Sequence, residues 1–224
     1  MAVVKLWEAL LDFIFPPHCP VCHAYVEQRG GWCPHCLQAT LQLQRLPLSV
    51  PMQSALAEAW AFGIYREGLQ SIIKSLKYRG RRSALPYIDT LLRSGLTDAQ
   101  LGSLLKRVNL ATAVPLYPDK EKQRGFNQAE LIFRNFLQEA AIPYARLLAR
   151  QRPTTSMYKL SEQERRANVK NAFAVTSAKA VKGKNILLVD DILTTGATLQ
   201  ECAKVLKAAG AEKIFALVLA SDHR

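Results

Sequence analysis

The 224-residue chain lacks both of the common nucleotide-binding signatures. It contains no G-x-x-x-x-G-K-[ST] string, which argues against a P-loop NTPase. It contains no G-x-G-x-x-G either, which argues against a dinucleotide-binding fold. No apolar run is long enough to span a bilayer, because the apolar opening stretch is interrupted by Lys5, Glu8 and Asp12. The same charges sit where a signal peptide needs an uncharged segment, so a cytoplasmic location is expected. Low-complexity tracts and internal repeats are missing too. Acidic residues are scarce: 18 Asp and Glu face 30 Lys and Arg, a formal net charge of +12.

What is present suits one α/β domain with a small accessory module: 49% of the residues are hydrophobic. The charge is uneven. Residues 1–60 hold Lys5, Arg29 and Arg45 against Glu8, Asp12, Glu27 and Glu58, a net of −1, so the remainder carries +13. A surplus of that size points to polyanionic partners, either nucleic acid or phosphorylated metabolites.

Four of the five cysteines fall in two pairs, Cys19-Pro-Val-Cys22 and Cys33-Pro-His-Cys36. Each C-x-x-C makes a tight turn that aims two thiolates at one point, and two such turns complete a tetrahedron. The ten-residue gap suits a knuckle and hairpin with Gly30-Gly31 at the turn. A set of four cysteines can hold zinc or an iron–sulfur cluster, and this spacing favours structural zinc. His18, His23 and His35 adjoin the ligands; any of them could replace one, but they read as bystanders. Before the first pair, Val3, Leu6, Trp7, Leu10, Leu11 and Ile14 have helical spacing and predict an amphipathic helix. Cys202 shares an apolar helix face with Leu199, Ala203 and Leu206 and reads as core.

From Ala57 onward strands and helices alternate. Strands are predicted over 57–65, 110–116, 185–189 and 213–219. Helices are predicted over 68–78, 86–93, 100–107, 128–141 and 197–209. This order implies a mostly parallel sheet covered on both faces. The expected division is residues 1–40 for the helix and zinc module, 41–56 for a linker marked by Pro47 and Pro51, and 57–224 for the α/β domain.

Ligands of such sheets sit at the C-terminal ends of strands. The strand Ile186–Val189 leads to Asp190-Asp191, then to Thr194-Thr195-Gly196-Ala197-Thr198 at a helix start. Free N–H groups and hydroxyls there can wrap a phosphate, favoured by the helix dipole. The two carboxylates suit sugar hydroxyls or hydrated Mg2+. A Walker B strand would also end in Asp-Asp, but its P-loop partner is missing. A lone helix cap would need only one such residue.

Ile186–Thr198 resembles the phosphoribosyl-pyrophosphate motif of type I phosphoribosyltransferases. Within that superfamily the chain resembles the ComF family of competence and DNA-utilisation proteins. The strings carrying the resemblance are Phe15-Pro16-Pro17, Leu76–Gly80, Val114–Pro118 with Arg124-Gly125-Phe126-Asn127-Gln128, and Glu164–Phe173. The resemblance implies that Thr194, Thr195, Gly196, Ala197 and Thr198 hold the 5-phosphate and that Asp190 and Asp191 hold the ribose hydroxyls. It implies a pyrophosphate loop at Pro115, Leu116 and Tyr117, and a mobile loop over 152–160 that includes Arg152, Thr154 and Thr155. Met157 stands where the resemblance leads one to expect glutamine. Arg124, Arg152 or Lys77 are candidates to neutralise pyrophosphate.

Lys74, Lys77, Tyr78, Arg79, Arg81 and Arg82 form a basic, aromatic-bearing cluster expected to meet single-stranded DNA. The implied ligands are phosphoribosyl pyrophosphate with Mg2+, or ribose 5-phosphate. The implied partners are single-stranded DNA and proteins of the DNA-uptake machinery. An amidophosphoribosyltransferase-like enzyme of nucleotide metabolism and a non-catalytic metabolite sensor are the alternatives.

Overall fold

A computed structural model describes residues 15–79, 82–154 and 161–222. The expected helix around Val3–Ile14 lies outside them.

The main sheet has five strands. In chain order these are β1 (Gln44–Leu46), β2 (Glu58–Ile64), β3 (Leu110–Ala113), β6 (Asn185–Leu193) and β7 (Lys213–Ser221), and their spatial order is β1-β2-β7-β6-β3. All neighbours are parallel except the edge pair β1–β2. β4 (Leu148–Arg150) and β5 (Phe173–Val175) form a separate antiparallel ribbon. The helices are α1 (Pro34–Thr40), α2 (Val50–Gln53), α3 (Glu67–Arg79), α4 (Leu85–Gly95), α5 (Ala99–Leu105), α6 (Pro118–Arg124), α7 (Gln128–Glu139), α8 (Glu162–Val169), α9 (Ala178–Val181) and α10 (Ala197–Ala208). The mostly parallel α/β architecture expected from the sequence is therefore present. Among the described residues no helix is long and apolar enough to cross a membrane.

Strand alternation divides the core in two. Leu187, Val189, Phe215 and Leu217 face one side, where they meet Phe62, Ile73, Leu76, Leu91, Phe133 and Phe136. Ile186, Leu188, Ala216 and Val218 face the other, where they meet Leu199, Cys202, Leu206 and Phe173. The deeply buried central strands explain their near-continuous apolar sequence.

Two local expectations change. The segment 41–56, read as a linker, contains β1 and α2. β1 is only three residues long, too short for its alternation to register. Pro51, which suggested a break, lies in the first turn of α2, where a missing N–H costs nothing. Around the cysteines, the second pair opens a helix instead of closing a hairpin. Cys33 is the N-cap of α1 and Pro34 is its first residue.

Candidate functional site

The four cysteine sulfurs lie within 4.8 Å of one another. Cys22 Sγ and Cys33 Sγ are 3.6 Å apart. That is far from a disulfide, and it is close to the roughly 3.8 Å edge of a tetrahedron with Zn–S bonds of about 2.3 Å. Burial alone would raise the Cys19 thiol, but backbone N–H groups of Cys22, Cys33 and Val21 bring it down to about 6. Burial and the neighbouring sulfurs push Cys36 up to about 12. Four sulfurs crowded this closely are a donor set that fits a divalent metal.

This module is part of the core. Cys19, Val26, Trp32 and Cys36 belong to the same buried cluster as Phe62, Leu69 and Leu91. Trp32 Nε1 donates to Tyr87 O at 2.8 Å, and Thr90 Oγ1 donates to Gly30 O at 2.9 Å. Gly30 has φ +79°, and a Cβ there would sit 2.4 Å from Pro86 Cβ, so glycine is what lets the module seat on α4.

The second site lies at the C-terminal end of β6. This strand runs to Leu193, beyond the expected end, so Asp190 and Asp191 are still in it and Asp190 pairs with Val218. Both carboxylates are half-buried, and Asp190 Oδ1 accepts the Asp191 N–H at 2.8 Å. Leu193 leads into Thr194-Thr195 and then Gly196, the N-cap of α10 in the left-handed region at φ 72°. Glycine offers no side chain to cap the helix, so the first N–H groups of a twelve-residue helix open toward the turn without a side-chain cap. Below the turn, a Cβ on Gly196 would lie 2.4 Å from Met52 Sδ, and Gln200 Nε2 donates to Pro51 O at 2.9 Å. The supposed linker is therefore the floor under this loop.

One wall of the cup was not foreseen. Arg165 on α8 donates from Nη1 to Thr194 Oγ1 at 3.2 Å, and it lines the concavity with Asp190 and residues 194–198. It lies inside the Glu164–Phe173 string, but nothing in helical spacing marks it for a phosphate.

On the β3 side, Val114 N–H donates to Val189 O at 3.0 Å and ties the start of the expected pyrophosphate loop to β6. Asn127 Nδ2 donates to Val114 O at 2.9 Å while its Oδ1 caps α7, so Val114 is held from both β6 and α7. Pro115 is buried, and Leu116 and Tyr117 are half-buried. Tyr117 is the N-cap of α6, whose residues bring cations to the site.

Lys120 is held below its ordinary value by burial first, then by Arg150 and Arg124. Burial also lowers Arg150, with Arg152 adding to the effect, while Cys202 and Asp190 oppose it. Lys120 therefore lies near both Arg150 and Arg124, and Arg150 lies near Arg152. Lys120 Nζ donates to Thr154 O at 3.3 Å, Arg150 Nη2 donates to Thr154 Oγ1, and Arg152 Nη2 donates to Lys170 O at 2.5 Å. The Arg150 guanidinium lies 5.2 Å from the Phe173 ring centroid, and its Nε is buried with no hydrogen-bond partner. Crowded cations with an unspent donor form a site for a polyanion. Lys120 and Arg150 were invisible as ligands in the sequence, because each comes from a different short element.

Other expected site residues fall apart from these. Lys74 is exposed on α3, whose Leu69, Ile72, Ile73 and Leu76 are buried, but it lines no part of the cup. Lys77, Tyr78 and Arg79 continue the helix, and Arg82 opens a 3-10 turn. Arg81, Thr155 and Met157 lie outside the described residues.

Residues 124–224 match the phosphoribosyl transferase domain model, and residues 10–46 match the double zinc ribbon model. Competence protein F of Haemophilus influenzae is 28% identical over 200 residues, covering 88% of this chain and 82% of the relative. Competence protein ComFC of Streptococcus pneumoniae is 28% identical over 205 residues, covering 89% and 86%. The chain is thus similar along most of its length to competence proteins of the ComF kind. DNA utilization protein YhgH of Escherichia coli K12 is a further relative, 29% identical over 197 residues, covering 88% and 80%. Among solved structures, adenine phosphoribosyltransferase from Leishmania tarentolae is similar with a TM-score of 0.39 at 13% identity, covering 80% of this chain and 95% of that one. The zinc ribbon match spans the four clustered cysteines, and the phosphoribosyl transferase match spans the β6–α10 turn.

Proposed function

We propose that this chain binds phosphoribosyl pyrophosphate with Mg2+, or ribose 5-phosphate, and acts on single-stranded DNA in uptake and transformation. The carrying observation is the order of chemistry along the strand ends. An uncapped helix N-terminus with Thr194–Thr198 and Arg165 receives the 5-phosphate. Asp190 and Asp191 follow for the ribose hydroxyls. Arg150, electrostatically coupled to Asp190, begins the cation cluster for the pyrophosphate. Mg2+ would arrive with the pyrophosphate and be met by the two carboxylates through water. The relatives' names supply the competence and DNA-utilisation context. The basic surplus supports attraction to strands, with Lys74 and its neighbours on α3 as one candidate surface.

One observation also favours catalysis. Neighbouring cations, with Lys120 beside Arg150 and Arg124 and Arg150 beside Arg152, suit a leaving group that gains charge as it departs, as pyrophosphate does in phosphoribosyl transfer.

Calorimetric titration tests the reading with two ligands. Thr195→Glu places a carboxylate where the phosphate sits and should abolish binding of both ribose 5-phosphate and phosphoribosyl pyrophosphate. Lys120→Glu should weaken only the pyrophosphorylated ligand, by about tenfold or more, equivalent to about 1.4 kcal/mol. Equal losses for both ligands in Lys120→Glu would remove the pyrophosphate assignment.

A further inference from the structure

A groove of about 220 Å³ lies between α8 and α10, and its lining shares no residue with the Lys120, Arg124, Arg150 and Arg152 cluster, although Arg152 donates to Lys170 O at its rim. From α10 it takes Ala197, Gln200, Glu201 and Lys204, which share one helix face. From α8 and the residue after it come Arg166, Ala167, Val169 and Lys170. Ala197 also lines the phosphate cup, and Arg166 follows Arg165, so cup and groove adjoin at the start of α10. The groove leaves the cup on the phosphate side and follows α10 for about 10 Å, the rise from Ala197 to Lys204.

Its charge is mainly positive. Three cations face one carboxylate, Glu201, which accepts the Asn171 N–H at 2.7 Å and lies 3.8 Å from Lys204. Arg166 pairs with Glu162 at 2.7 Å. The Arg166–Glu162 pair is a surface pair within one helix, worth little in water, and the exposed Lys204 sits at the long end of contact with a largely buried Glu201, so both cations can turn to a phosphate. Ala167, Val169 and Ala197 give the same groove apolar walls, which a bare polyphosphate has no use for.

We infer that this groove holds the nucleotide preceding the one in the cup, so that the cup phosphate is a phosphodiester and the ligand is a strand. The inference rests on the phosphoribosyl reading of the cup. The sugar and base of the preceding nucleotide lie over exposed Ala167, and its own phosphate meets Lys204, Lys170 and Arg166. A free metabolite fills only the cup, whereas a strand fills both, so one phosphate-binding loop serves both ligands.

The test compares ribose 5-phosphate, a ribonucleoside 5′-monophosphate, the 5′-diphosphate, and a 5′-phosphorylated dinucleotide on the full chain. The dinucleotide should bind about tenfold tighter than the monophosphate, with a salt slope steeper by about 0.7 for the added phosphate. Lys204→Glu should erase that advantage and leave ribose 5-phosphate binding unchanged. Glu201→Gln, which still accepts the Asn171 N–H, should enlarge the advantage. Equal affinity for monophosphate and dinucleotide overturns the inference, as does an advantage that survives in Lys204→Glu. A diphosphate that reproduces the advantage overturns it in favour of a polyphosphate site. If ribose 5-phosphate fails to bind the parent chain, the cup reading falls and takes the groove with it.

Discussion

The cysteine module and the proposed phosphoribosyl site are built in opposite ways. The module draws its four sulfurs from Cys19–Cys36, a single contiguous stretch, and then loses its independence by sharing a core with α3 and α4. The site draws on α2, the β3–α6 loop, the β4–β5 ribbon, α8 and the β6–α10 turn, yet it gathers around the C-terminal ends of the parallel strands β6 and β3. A compact motif can thus be structurally entangled, and a dispersed site can be chemically compact. The contrast matters because the first is anchored by metal–ligand bonds and the second by packing.

The sharpest way to break this contrast is to remove the metal. Structural zinc contributes about 10 kcal/mol or more in small modules, comparable to the whole stability of a domain. Because Cys36 and Trp32 are buried with Phe62 and Leu91, Cys36→Ser or chelation should abolish the cooperative thermal transition of the entire chain. A variant that keeps a single, unshifted α/β transition by circular dichroism would show that the module is separable after all. Elemental analysis of the parent should give about one zinc per chain.

Gly196→Ala probes the opposite region with a smaller change. The new methyl would meet Met52 in a left-handed backbone, and the combined strain should cost on the order of 1–3 kcal/mol in urea denaturation. Ligand affinity should fall with it. A paired Met52→Ala change should recover part of the loss, since it removes the clash but not the backbone strain. No recovery would mean that α2 does not support the loop.

The mildest probe is pH. Burial, then Arg150 and Arg124, keep the Lys120 pKa depressed in the folded chain, so between that value and the ordinary lysine value the unfolded chain binds more protons. The free protein should therefore gain a little stability as pH rises through that window, and Lys120→Met should remove the gain. Phosphoribosyl pyrophosphate should reverse the depression, so its binding should take up protons there, read as a buffer-dependent enthalpy. Proton release instead would place the pyrophosphate away from Lys120.

Much of this was legible before any coordinates. The Cys pairs, the β6 strand and the Thr-rich turn are local strings in which residue type and spacing state the chemistry. The parallel sheet followed from apolar runs alternating with helical spacing. Arg165, Lys120 and Arg150 were not legible, since a basic residue on a short helix or strand looks like any solvated charge until folding supplies its neighbours. β1, β4 and β5 are three residues each, below the length at which alternation carries information. The short helix α2 was hidden by its own proline.

The buried thioether of Met52 has a consequence for where this chain can be cut. A fragment beginning at Ala57, the break suggested by composition, would keep every residue that touches a phosphate. It would also leave a cavity the size of a methionine beneath Gly196 and strip the Gln200 amide of its acceptor on Pro51. Large-to-small losses of this kind cost about 2–5 kcal/mol, and here the void would open under the loop that must stay rigid. Such a fragment would present the right side chains on a turn free to wander, and its weak binding would be mistaken for a missing contact when what it lacks is a shim.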